Sequence, residues 1–262
     1  MSRLGLGAWC VGAGIAAVAV GTAVENPQVS VRLVTLRTDY FTGEPVLLDA
    51  IVTNTTPMDL AIGGAGYDGG EGDIAIYIAS EGPPERFEFG GEDCVESRLS
   101  GPPLRPGESI HHAASILYSR AGGGKLAFPR PGAYAIKVVY PLLLRDVPGR
   151  REIESNSVPI RILPPTGEDE QVWRRIRSHE VLDFLQFDDG PNQERAVMTL
   201  VEALKARPDS RYRQSYADAL RRFSRQGGER HLSPEEREKF REVLGIPARE
   251  ERGDGAGPPG AK

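Results

Sequence analysis

The stretch FPRPGAYAIKVVY at residues 128–140, followed after a charged excursion by SNSVPIRIL at residues 155–163, decides how this chain is read. Pro131-Gly132 makes a turn, and beyond it Tyr134, Ile136, Val138 and Tyr140 occupy alternate positions. Successive strand side chains point to opposite faces, so these four share one. After the loop around Pro148 to Arg151, Val158, Ile160 and Ile162 repeat the alternation. Two adjacent strands with buried faces are expected. Pro159 lacks an N–H, which confines the second strand to an edge or to one-sided pairing there.

The pattern extends toward the N-terminus. Val29, Val31 and Leu33 alternate with polar neighbours, and the turn Thr42-Gly43-Glu44-Pro45 leads into Val46–Asn54, where Leu48, Ala50 and Val52 share a face. Runs at Leu60–Ile62, Ile74–Ile78, Ser109–Tyr118 and Lys125–Phe128 are each bounded by Gly or Pro clusters. Strands at this turn-punctuated spacing, about seven or eight in all, are the pattern of a β-sandwich. At Pro164-Pro165 the period changes. The first helix should run from a Thr166/Asp169 cap to about Phe187, the second from near Pro191 to before Pro208, and the third from Ser210 to Arg225. Ser233-Pro234-Glu235-Glu236 caps a fourth, and Gly245 closes it. The Gly- and Pro-rich tail beyond Pro247 is expected to be disordered.

With GEPV at residues 43–46 and PGAYAIKVVY at residues 131–140, the chain resembles a broad set of exported bacterial proteins. In these an immunoglobulin-like sandwich, with a tyrosine corner at the start of its penultimate strand, is followed by a helical segment. The resemblance covers Val29 to Leu163 and implies fold more than activity. The strand pattern is also similar to that of the bacterial intracellular proteinase-inhibitor family. In the helical part Ala196, Leu200 and Ala203, counted back from Pro208, are similar to the second helix of a tetratricopeptide unit, although Gln214 and Asp218 stand where an aromatic and a small residue belong. The fold expected is mainly β: an immunoglobulin-like antiparallel β-sandwich followed by a small α-helical region. The expected division is a signal peptide over 1–23, the sandwich over 24–165, the helical region over 166–246 and a tail over 247–262.

Composition bounds the compartment and the partners. The chain has 262 residues and a net charge of -5, which gives no general case for nucleic-acid binding. Arg3 precedes an uncharged run from Leu4 to Val24 that ends in small residues, the form of an export signal; retained, it would be the chain's one contact with a membrane. Both forms place the remainder outside the cytoplasm, in the periplasm, at the cell surface or secreted. Without that segment Cys94 is the one cysteine left, so no internal disulfide is expected.

Candidate chemistry is sparse. Between Asp59 and Glu96 acidic residues face a single base, Arg86. Within that segment GGAGYD, residues 63–68, matches the start of a calcium-binding nonapeptide, which makes Asp68, Glu71 and Asp73 the candidate metal ligands, for calcium. Gly70 stands where the large apolar residue belongs and no tandem copy follows, so the expectation is a solvated acidic loop and no cofactor. His111 and His112 are neighbours on one strand and face opposite ways; His179 and His231 are isolated. GGGK at 122–125 lacks the rest of a phosphate loop and reads as a hairpin turn. Anions beside Cys94 disfavour its thiolate. The basic surplus from Arg207 to Arg225 reads as a solvated face, or as one meeting an acidic partner or the chain's own acidic loops. These readings lead to a non-catalytic exported module that binds or scaffolds a protein or envelope polymer. A hydrolase or accessory domain for envelope polymers is the first alternative, and a proteinase inhibitor using a loop such as Gly82–Gly91 the second.

Overall fold

The computed structural model describes residues 29–60, 74–89, 103–142, 151–187 and 193–247. Eleven strands come first: β1 (Val29–Thr35), β2 (Asp39–Phe41), β3 (Val46–Asn54), β4 (Ala75–Ala79), β5 (Glu85–Phe87), β6 (Ser109–Ile116), β7 (Tyr118–Ser119), β8 (Lys125–Leu126), β9 (Gly132–Leu142), β10 (Arg151–Glu154) and β11 (Val158–Leu163). Five helices follow: α1 (Glu168–Ile176), α2 (His179–Phe187), α3 (Gln193–Ala206), α4 (Arg213–Arg225) and α5 (Pro234–Leu244).

The strands form a three-stranded sheet of order β1-β3-β6 and a six-stranded sheet of order β2-β11-β9-β4-β5, with β10 beside β9. β9 is central to the larger sheet. Its residues Ile136, Val138 and Tyr140 are fully buried, and Val158 of β11 lies opposite Ile136, as the alternation predicts. Val46, Leu48, Ala50 and Val52 of β3 face them from the smaller sheet in one continuous core. At Pro159 β11 pairs with β9, and its other neighbour, β2, begins only at Arg161. The Tyr134 hydroxyl donates to the Arg130 carbonyl at 2.8 Å and so pins the turn that launches β9. Between β10 and β11 the side chain of Asn156 accepts from the Leu33 N–H at 2.8 Å and donates to its carbonyl, which ties the two sheets together through β1.

This architecture corrects the expected fold class. The chain is a mixed α and β protein, about 35% helix and 35% strand, and not a mainly β immunoglobulin-like sandwich. β2 joins β11 in parallel, so the larger sheet is not wholly antiparallel. The helices also build a second core, from Val172, Phe184, Leu200, Tyr216, Phe223 and others, into which Leu117 and Tyr118 of the strand region pack. Alternation and turns show that a segment is a strand, but they carry no information on which edge it joins or in which direction. Nor did they weigh how much core the helices bury.

The helices also differ in number. The single helix read from Thr166 to Phe187 is two, α1 and α2, broken at Arg177-Ser178, where Arg177 N–H closes α1 on the Trp173 carbonyl and the Ser178 hydroxyl accepts from Val181 N–H. The expected Asp169 cap is absent: Gly167 is the capping residue, and the Asp169 carboxylate instead accepts from Ser210 and from Arg211 N–H, which ties α1 to the approach of α4. The Ser233/Glu236 capping box and the left-handed Gly245 bound α5 as read. α3 is the hub, packing against α1, α2, α4 and α5, whereas a tetratricopeptide array stacks each hairpin on its neighbours alone.

Candidate functional site

Asp68, Glu71 and Asp73, together with Cys94 and the N-terminal run, lie outside the described residues. Among the described residues no group of three His, Cys, Asp or Glu side chains could hold a metal ion, and no helix is long and apolar enough to cross a membrane. The two adjacent histidines part as expected. His111 Nδ1 meets Asp49 at 2.7 Å on the outer face, while His112 tilts against the buried ring of Tyr140, at 5.5 Å, on the inner. Burial lowers the His112 pKa and pushes the Tyr140 phenol up to about 12.

Much of the chain's polar chemistry serves the seam between strands and helices. Glu44, from the turn before β3, is buried; its carboxylate accepts from Arg37 at 2.5 Å, from Phe41 N–H at 3.0 Å and from the Ser215 hydroxyl of α4 at 2.8 Å. The Tyr212 and Tyr216 rings stack 5.1 Å apart, and their hydroxyls donate to the Thr42 and Gly43 carbonyls. Gly43 has φ +83°, and a Cβ there would run into the Trp173 ring, so glycine is required both for the turn and for the close approach of α1. A second set of contacts lies at β7. Gln186 accepts from Leu117 and Tyr118 N–H and donates to the Ser115 carbonyl, while Arg120 forms a two-pronged pair with Asp183 at 2.7 and 2.9 Å. His179 is not isolated: its Nδ1 lies 2.5 Å from the Tyr118 hydroxyl, whose pKa burial raises. Arg120–Asp183 and Gln186 were missed at the sequence level, since residues about sixty apart carry no shared periodicity.

The helical arginines are largely committed as well. Arg213 donates to the Val243 carbonyl, Arg221 pairs with Asp218, and Arg211 lies over the Phe41 ring of β2. A cavity of about 320 Å³ between α1 and α3 contains Arg175 and Arg207. Both bond to the protein there, Arg175 to the Glu202 carbonyl and Arg207 to Gln171.

Among the described residues, one concave region carries charged groups without partners. It is a groove of about 430 Å³ lined by β4 and β5, by β8 and by the segment leading into β9. Ile78, Phe87, Leu126 and Tyr134 supply its apolar wall; Phe87 and Tyr134 are only 8% and 9% exposed. Exposed Glu85, Arg86, Lys125 and Arg130 supply its charge. β5 ends the larger sheet and pairs with β4 alone among the described residues. Just beyond it the chain docks on β7, with Arg120 N–H donating to the Phe89 carbonyl at 2.8 Å and Ser119 to that of Glu88. The groove therefore opens where that docking has not yet begun. The Gly82–Gly91 stretch considered for an inhibitory loop is, over its described residues, the turn and strand forming this wall. The GGGK turn, which connects β7 and β8 as a hairpin, delivers Lys125 to it.

No known protein family matches the chain, and no curated protein does. Solved structures similar to it include the alkylpurine DNA glycosylase of Pseudomonas fluorescens bound to DNA with an abasic-site analogue, at 14% identity and a TM-score of 0.31, covering 54% of this chain and 32% of that one. A β-glucosidase from Erythrobacter marinus matches at 14% identity and a TM-score of 0.30, over 52% of this chain and 15% of that one. The sporulation control protein of Bacillus subtilis matches at 16% identity and a TM-score of 0.26, over 57% and 55%. The chain thus spans about a third or less of the length of the first two. At these scores the likeness is confined to pieces of fold.

Proposed function

We propose that this chain is a non-catalytic binding module of the extracytoplasmic space that takes up an extended polypeptide segment beside β5. The observation that carries this reading is the one-sided pairing of β5 next to the groove. A terminal strand presents backbone N–H and C=O groups that another strand can pair with, and an adjoining cleft receives alternate side chains. Use of the ionisable groups supports this reading: Glu44 and Asp183 hold the seam, and among the described residues the groove is lined by one carboxylate, Glu85, whereas hydrolysis of a glycosidic polymer by paired carboxylates needs two. The placement outside the cytoplasm rests on the uncharged run after Arg3.

Gly82 provides a clean test. It lines the groove, a Cβ there meets nothing within 4 Å, and its backbone is not in the left-handed region. Gly82→Trp should fill the groove without strain. Titrating labelled, unstructured β-prone peptides onto the full chain should give binding that Gly82→Trp abolishes while the melting temperature stays unchanged. Equal binding by both proteins would place recognition elsewhere.

A further inference from the structure

We infer that the segment this groove accepts is acidic: an extended peptide whose inward-facing alternate residues carry carboxylates. The inference rests on the strand-pairing reading above and names the chemistry of its partner. Among the described residues three cations, Arg86, Lys125 and Arg130, line the groove against one anion, Glu85, in a chain whose net charge is -5. None of the three forms an ion pair or a side-chain hydrogen bond among the described residues. Arg37, Arg161, Arg241 and Arg120 are matched, to Glu44, Asp39, Glu229 and Asp183, and the exposed arginines left without an ion pair among the described residues, such as Arg32, Arg105 and Arg151, do not line this groove. A strand laid along β5 would remove water from these groups. Desolvating an unpaired cation is costly unless the incoming surface supplies an anion, so the groove selects for one and rejects a basic segment.

A competing account is that the cations merely protect an open sheet edge from pairing with other chains. It fits Arg86, which lies on β5. It does not fit Arg130, which lies outside any strand in the approach to β9, while Lys125 lies on β8, an end strand of a separate two-stranded sheet. The three come from separate parts of the chain and meet only at the groove, which is what a charged pocket requires. Strand side chains on one face recur about every 6.4 to 6.8 Å, so a segment alternating acidic and apolar residues would direct its carboxylates to these cations and its apolar residues away.

The test uses the full chain and short, end-blocked fluorescent peptides alternating Glu with Val, Gln with Val, or Lys with Val, read by anisotropy. Dextran sulfate serves as a non-peptide polyanion. The expected result is that the Glu peptide binds at least about tenfold more tightly than the Gln peptide at low salt, a difference of about 1.4 kcal/mol. That preference should fall with added salt and disappear in the Lys125→Glu/Arg130→Glu double variant, whose residues are exposed and whose melting temperature should match the parent. Equal affinity for the Glu and Gln peptides, both lost in Gly82→Trp, overturns the charge selection and leaves the groove reading standing. Absence of any peptide binding sensitive to Gly82→Trp overturns the groove reading itself. Dextran sulfate binding sensitive to Gly82→Trp, with no Glu-peptide binding, replaces the peptide partner by an anionic polymer. Self-association of the double variant without any loss of peptide preference assigns the cations to edge protection.

Discussion

Glu44 shows how a residue that reads as part of a turn becomes a structural centre. Its side chain is 2% exposed, while that of its partner Arg37 is 46% exposed. The carboxylate also accepts from Phe41 N–H and from Ser215, so one side chain joins the β2–β3 turn to α4. Glu44→Gln keeps the shape but turns an amide NH₂ toward a donor, either toward Arg37 and Ser215, which share one carboxylate oxygen, or toward the Phe41 N–H at the other. Arg37 is solvated enough to recover water, so the loss should be that of the buried bonds, about 1–3 kcal/mol. A urea melt would measure it, and an unchanged midpoint would show that the contacts at Glu44 add nothing to stability. GEPV was legible as a turn from sequence because Gly and Pro constrain backbone geometry. Burial of its acid was not, because the group that covers it lies about 170 positions away.

Among the elements, β9 was the most legible and the sheet order the least. Ile136 has no exposed surface, pairs with Val158 on one side and Ile78 on the other, and contributes to the strand core. Ile136→Ala should cost about 2–5 kcal/mol, from lost burial plus the cavity left in a site held by neighbours on both edges. Chemical denaturation of the full chain checks this, and a shift well below that range would mean the surrounding side chains close the void. Alternation identified β1, β3 and β11, and β9 through its first half, because one face of each is drier than the other there; residues 138–142 of β9 are buried on both faces. It missed β10, whose four residues, one of them buried, are too short to show a period. It could not anticipate that β2 would lie parallel to β11, since that depends on which edge was left free. The groove was equally hidden: Arg86, Lys125 and Arg130 are unremarkable singly and acquire meaning only where β5, β8 and the turn before β9 meet.

At the scale of the whole molecule the strand and helical regions are joined by a polar seam over apolar contacts, which ties their stabilities together. Tyr212 and Tyr216 are at its centre. Their hydroxyls donate to the Thr42 and Gly43 carbonyls at 2.6 and 2.7 Å, and burial raises both pKa values; Asp169 and Glu44 raise that of Tyr212 further, and Tyr212 and Glu44 that of Tyr216. A phenolate cannot donate these bonds, so the folded form holds its protons to higher pH than the unfolded chain, whose tyrosines titrate near about pH 10. The folded pKa lies above the unfolded one. The associated stability is therefore complete below about pH 10 and is lost as pH rises through the folded values. Trp173 reports on the event, because its ring packs where Gly43 leaves room. Urea melts followed by Trp173 fluorescence and by circular dichroism should coincide at neutral pH and weaken together above about pH 10. Tyr212→Phe/Tyr216→Phe should lower stability at neutral pH by about 1–3 kcal/mol for each hydroxyl removed, since the two carbonyls stay buried. It should also flatten the alkaline decline, though not abolish it, because Tyr40, Tyr118 and Tyr140 are likewise raised. An alkaline slope equal to that of the parent would take the seam out of the cooperative unit and leave the two cores stabilised independently.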